Sequence, residues 1–166
     1  MLPASTAFAR EEKNEYQPFF KSITGKVKEV RKSDTDKNTT YVLLDSKDGG
    51  EAYLVLTKDT YFVDNEEIRV DSEVTGYYDA NAIMLMIYPP QYEAVAIQVS
   101  NQGQSIKVDL FDTNLTSADH MLKLNISKDT LLVTKDGKTF KGDLSNRKLA
   151  VFYSSSTRSI PAQTTP

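Results

Sequence analysis

Hydrophobic and polar positions along this chain fall in short alternating runs, the period of a pleated strand. Ile23 to Val30 is the first, with Ile23 and Val27 on one face. Tyr41 to Leu44 is a compact apolar run. Asp48-Gly49-Gly50 follows it and supplies the positive φ of a hairpin turn, and Ala52 to Leu56 is the return strand. Tyr61 to Val63, Val74 to Tyr78 and Ala94 to Val99 come next. Ile106 to Phe111, Leu122 to Ile126, Leu131 to Val133 and Leu149 to Tyr153 complete the series. A second hairpin is predicted at Lys135-Asp136-Gly137-Lys138, because Asp-Gly between apolar flanks favours a tight turn. Only Arg10 to Tyr16 and Ser117 to Met121 permit helix, and both are short.

The pattern occurs twice. Residues 53 to 63 align with residues 123 to 133 at an offset of 70, with identity at Leu54/Leu124, Lys58/Lys128, Asp59/Asp129, Thr60/Thr130 and Val63/Val133. Val74 to Tyr78 resembles Leu149 to Tyr153, and Tyr88-Pro89-Pro90-Gln91 resembles Ile160-Pro161-Ala162-Gln163. Matches in preserved order identify two copies of one supersecondary unit. Five short strands in Greek-key order, with an insertion between the third and fourth, is the pattern of an OB-like barrel. The expectation is therefore an all-β protein of two tandem OB-like small barrels, with a single β-sandwich as the alternative. The first repeat covers residues 19–99 and the second 100–166; residues 1–18 form an arm. Ala94 to Val99 can close the first copy and open the second. The second copy has no sequence counterpart of Ala94 to Val99, so it is expected to lack its last strand. That leaves an open edge, which invites edge-strand self-association.

Composition narrows the function classes. The longest apolar run, Ala82 to Tyr88, is far shorter than a membrane span of about 20 residues. Net charge is −3 with basic residues scattered, which argues against nucleic acid as partner. There is no cysteine, so disulfides, thiolate nucleophiles and cysteine metal sites are excluded. Ala7-Phe8-Ala9 before the charged Arg10-Glu11-Glu12-Lys13 has the small-residue spacing a signal peptidase accepts. It reads as a signal-peptide remnant, and predicts a secreted or cell-surface protein.

Residues 75–82 and 87–92, together with Ile23 to Glu29, Asp59 to Val63 and Thr157 to Gln163, resemble a family of clostridial and related firmicute secreted proteins. Its members are commonly labelled after the copper amine oxidase N-terminal domain, a label that implies neither copper nor oxidation. The resemblance spans roughly residues 19 to 166. It implies an extracytoplasmic protein of unknown function, of the cell envelope or spore surface. It carries over no catalytic residue. This chain departs from the family pattern where Asn81-Ala82-Ile83 replaces Asn-Ala-Pro.

Candidate chemistry is sparse. His120 is the only histidine; beside Asp119 it suggests a triad only on paper, because sequence neighbours on a strand point apart. Met84 and Met86 fall on one strand face, yet no third soft ligand accompanies them. Asp34-Thr35-Asp36-Lys37-Asn38 imitates the start of a calcium loop but lacks its glycine and its bidentate glutamate. No cofactor or metal is expected. Tyr77, Tyr88, Pro89, Pro90 and Tyr92 form the candidate binding face: rigid amphipathic rings beside a Pro-Pro loop suit a protein, a peptide or a cell-wall glycan. The leading expectation is a non-enzymatic extracytoplasmic binding or structural module. The alternatives are an extracellular enzyme or enzyme inhibitor, and an OB-type binder of single-stranded nucleic acid. The last rests on fold analogy alone.

Overall fold

The computed structural model describes residues 17–64, 66–99 and 104–166; the signal-like Ala7-Phe8-Ala9 and the helix-permissive Arg10 to Tyr16 lie outside them. The chain is all-β. Its first half contains β1 (Phe20–Lys32), β2 (Thr40–Ser46), β3 (Glu51–Leu56), a two-residue β4 (Tyr61–Phe62), β5 (Glu73–Asp79) and β6 (Gln91–Gln98). β1, β2 and β3 form an antiparallel meander, and β5 pairs with both β1 and β6. β6 then pairs in parallel with β3, at Leu54↔Tyr92. That pairing closes a five-stranded OB-like barrel, so none of its five strands is left as an edge.

Local chemistry explains the elements. Gly49 and Gly50 both have positive φ, and Ser46 N–H donates to Gly50 carbonyl at 2.9 Å, closing the predicted hairpin. Alternation puts Val42, Leu44, Ala52, Leu54, Leu56 and Val74 into one core with Val27, Ala94 and Ile97. Two glycines on inward positions make room for this packing. A Cβ on Gly25 would stand 2.5 Å from the Asp45 carbonyl oxygen, and one on Gly76 would stand 2.5 Å from both methyls of buried Leu54.

The second half contains β7 (Ser105–Phe111), β8 (Leu122–Leu124), β9 (Arg147–Tyr153) and β10 (Ala162–Thr164). It repeats the pairings of the first. β7 and β9 are antiparallel, as β1 and β5 are; β8 and β10 are parallel, as β3 and β6 are. Leu124 faces Thr164 where Leu54 faces Tyr92. Isolated bridges Phe111↔Ser117 and Thr116↔Lys123 stand where β2 joins its neighbours. Phe111, Leu122, Leu124 and Val151 form a second, smaller core.

The repeat extends to single hydrogen bonds. Thr57 N–H donates to Thr60 Oγ1 at 2.9 Å, and Ser127 N–H to Thr130 Oγ1 at 3.1 Å. The Thr60 hydroxyl donates to Ala94 carbonyl at 2.7 Å, and the Thr130 hydroxyl to Pro166 carbonyl at 3.0 Å. Tyr88–Pro89 and Ile160–Pro161 are both cis.

The copies differ in closure. Among the described residues the second half forms two separate two-stranded sheets, because β9 and β10 do not pair. β10 is the counterpart of the opening of β6, ahead of Ala94 to Val99, since Leu124 faces Thr164 where Leu54 faces Tyr92. Ala94 to Val99 belongs to the first barrel, and the second half opens on β7 instead. Leu131 to Val133 is no strand and keeps one bridge, Val133↔Thr139, around the predicted turn at Gly137. Ser117 to Met121 is a turn rather than a helix, with His120 at φ 58°.

Candidate functional site

The loop from Ala80 to Pro90 joins β5 to β6 at one end of the barrel. Its base is tied down. Asp79 Oδ1 accepts the amides of Phe19 and Asn81 at 2.9 and 3.0 Å. The Asn81 side-chain amide donates to Gln17 carbonyl at 2.9 Å, and Pro90 carbonyl accepts Tyr53 N–H at 2.8 Å. Between these anchors Ile83, Leu85, Met86, Ile87 and Tyr88 are exposed, Ile83 and Met86 fully so. Met84 and Met86 therefore stand in a loop, not on a strand face: residues 83–87 have no strand partner. A contiguous apolar loop in water is a costly feature, of the kind found at interaction sites.

The five candidate residues divide. Tyr88, Pro89 and Pro90 lie on this loop, and Tyr88 is exposed. Tyr92 instead turns inward, stacking on Tyr78 with centroids 4.3 Å apart, and both pack against the barrel core. Tyr77 points to the other side of β5 from Tyr78; burial alone pushes its phenol above the ordinary tyrosine range. The strongest apolar signal, Ile83 to Ile87, was visible in the sequence as an apolar run but read as strand.

The acidic β1–β2 loop holds itself. Asp36 accepts the Asn38 amide at 3.0 Å and the Thr39 hydroxyl at 2.8 Å, and these bonds hold its carboxyl below the usual range. Among the described residues no group of three or more metal-ligating side chains comes together.

The second half buries a polar cluster at the inner end of β7. Asp109 is almost fully buried, and burial raises its carboxyl. Lys107 pairs with Asp119 and stands 4.0 Å from Asp109. Asp119 Oδ1 accepts the Ser117 hydroxyl at 2.6 Å and Met121 N–H at 3.0 Å. Burial alone would raise Asp119, but these bonds and Lys107 outweigh it and hold the carboxyl down. Ser117 Oγ in turn accepts Leu122 N–H at 2.9 Å, so it bridges the strands rather than standing ready as a nucleophile. His120 is exposed beside this cluster.

A cleft of about 1040 Å³ lies elsewhere, between the barrel and the second half. Tyr61, Val63 and Ala96 line one side, and Ile126, Leu131 and Phe152 the other. Lys135 spans it, with Nζ 3.0 Å from Lys58 carbonyl and 3.9 Å from Asp59.

Compared with protein-family models, curated proteins and solved structures, the chain matches none of them.

Proposed function

We propose that this protein is a non-enzymatic extracytoplasmic binding module of the cell envelope or spore surface, which engages a protein or peptide partner through the loop of residues 80–90. The single observation that carries the reading is the exposure of Ile83, Leu85, Met86, Ile87 and Tyr88 on a loop whose base is hydrogen-bonded into the barrel. The loop enters the last strand of the barrel, and in OB-like barrels that connection is one of the two that frame the ligand face. Flexible methionine beside rigid tyrosine suits an apolar partner surface. The extracytoplasmic assignment rests on the family resemblance and on Ala7-Phe8-Ala9.

The nucleic-acid alternative is opposed by charge pairing. Lys28 bonds Glu51, Lys26 lies 3.5 Å from Asp71 and Lys47 lies 2.9 Å from Glu73. Lysines matched to carboxylates release few phosphate counterions on binding.

The test is partition onto isolated firmicute cell envelopes. The native chain is expected to sediment with them, and the double variant Ile83→Asp, Met86→Asp to stay in the supernatant while its circular dichroism and melting are unchanged. Equal sedimentation of both proteins would remove the loop from the reading.

A further inference from the structure

The second half places charge where the first half buries uncharged residues. β9 lies against β7 as β5 lies against β1, and the register carries across. Ile23 faces Gly76 and Gly25 faces Val74; at the matching places Lys107 faces Val151 and Asp109 faces Leu149. Ile23, Gly25 and Val27 are all buried on one face of β1. Lys107 and Asp109 share the corresponding face of β7 with Phe111, which is fully buried in the second core. Charges on an inward strand face are costly unless they are paired, and an apolar side chain there is the cheaper solution.

Three groups converge at this place. Lys107 Nζ donates to Asp119 Oδ2 and lies 4.0 Å from Asp109 Oδ2. The Asp119 N–H donates to the same Asp109 oxygen at 3.3 Å, and Asp109 Oδ1 accepts Leu110 N–H at 2.8 Å. The other Asp119 oxygen, Oδ1, accepts the Ser117 hydroxyl and Met121 N–H. The Lys107 and Asp119 side chains are each 25% exposed and that of Asp109 is 6% exposed. The amine is thus held one atom away from Cγ of Asp119, in a site largely closed to water. Intramolecular placement of this kind reaches effective concentrations of about 10⁵–10⁸ M, which offsets the competition from water that keeps free amines and acids apart.

We propose that Lys107 and Asp119 become joined by an amide bond between their side chains, a covalent tie from β7 to the turn at Ser117 to Met121, with Asp109 as the proton carrier. Burial raises the Asp109 carboxyl, so it is suited to take a proton from the Lys107 ammonium and leave a neutral amine. The nitrogen lone pair forms the new C–N bond at Asp119 Cγ. Charge on Oδ1 is met by the Ser117 hydroxyl and Met121 N–H. The bond from Cγ to Oδ2 then breaks, and Oδ2 leaves as water with one proton from Asp109 and one from the nitrogen. Asp109 returns to the carboxylate and the amide keeps one hydrogen. An ammonium and a carboxylate have become an amide and a water, and nothing is oxidised or reduced. The tie exchanges two inward charges for one neutral group. The titrations of Asp109 and Asp119 are those of the chain before the bond closes. This site is independent of the 80–90 loop.

The experiment is mass spectrometry of the full chain, intact and after unfolding and trypsin digestion. The native chain is expected to weigh one water less than its sequence. Trypsin is expected to leave residues 70–123 as one peptide, because an acylated Lys107 is not cut and no other Lys or Arg lies between Arg69 and Lys123. Lys107→Arg, which keeps the charge but not the amine nucleophile, and Asp119→Ala are expected to have the full mass and to be cut at position 107. Asp109→Asn is expected to lower the linked fraction at least tenfold, with circular dichroism matching that of the native chain. Water lost from the 70–123 peptide of the native chain, and from neither Lys107→Arg nor Asp119→Ala, supports the bond. Separate native peptides 70–107 and 108–123 overturn it. So does a water lost elsewhere, as in a cyclic imide at Asp136-Gly137, with position 107 still cut. Equal linkage in Asp109→Asn overturns Asp109 as the proton carrier.

Discussion

Gly76 shows how one residue sets the packing of a barrel. Its missing side chain is filled by Leu54 from the opposing strand, so any Cβ must displace the two Leu54 methyls within a closed core. Gly76→Val is expected to cost about 1–3 kcal/mol, the usual penalty for overpacking, measured as a lower urea midpoint with unchanged slope. Asp109 and Asp119 oppose each other in pH. Burial raises Asp109 above 3.8, so its contribution to stability is present in acid and is lost as pH rises through the folded value. Asp119 is net lowered, so its contribution is present above 3.8 and is lost as pH falls through the folded value. In the native chain these partly cancel. Asp109→Asn is therefore expected to steepen the loss of stability on acidification between about pH 5 and pH 1, and Asp119→Asn to flatten it, as read by urea titration at each pH.

At the scale of elements, the Thr57–Thr60 turn and its copy at Ser127–Thr130 act as clasps between a strand end and the strand that closes the unit. Thr60 is buried and its hydroxyl holds Ala94 carbonyl. Thr60→Val leaves that carbonyl and the Thr57 amide without this partner, with an expected cost of about 1–3 kcal/mol. Thr130→Val, at a half-buried site, is expected to cost less, and thermal melts of the two variants compare them directly. The 80–90 loop behaves oppositely. Its apolar tips touch little, so Met86→Asp alone is expected to change stability by within about 0.5 kcal/mol. Both clasps were legible as the shared Lys-Asp-Thr segment. The loop was legible at Pro89-Pro90 but not over Ala82 to Tyr88, which has the local composition of a buried strand. Of the five candidate residues, Tyr92 stacks on Tyr78 against the core, a placement the sequence does not state because an aromatic in a sheet serves a core as readily as a surface.

Across the whole molecule the two halves share one plan and differ in closure. The barrel pairs both edges of every one of its five strands, and among the described residues ten build its buried core against four in the second half. Amides of Val42, Leu44 and Leu54 are therefore expected to exchange more slowly than those of Leu149 to Tyr153, with the second half opening at lower free energy. Reversal of that order would contradict the closed-and-open description.

Most strand positions, the Gly49-Gly50 and Gly137 turns, and the twofold repetition were determined by the sequence alone; Leu131 to Val133 and the run around Met84 and Met86 were not. Alternation and positive φ are properties of neighbouring residues, so they are written wherever those residues stand. Closure was decided only in three dimensions. The β3–β6 and β1–β5 pairings join residues roughly 40 to 60 positions apart, and nothing local states whether such edges meet. The same long-range pairing decides which apolar side chains are covered: it hides Leu56 and leaves its copy, Ile126, in the groove.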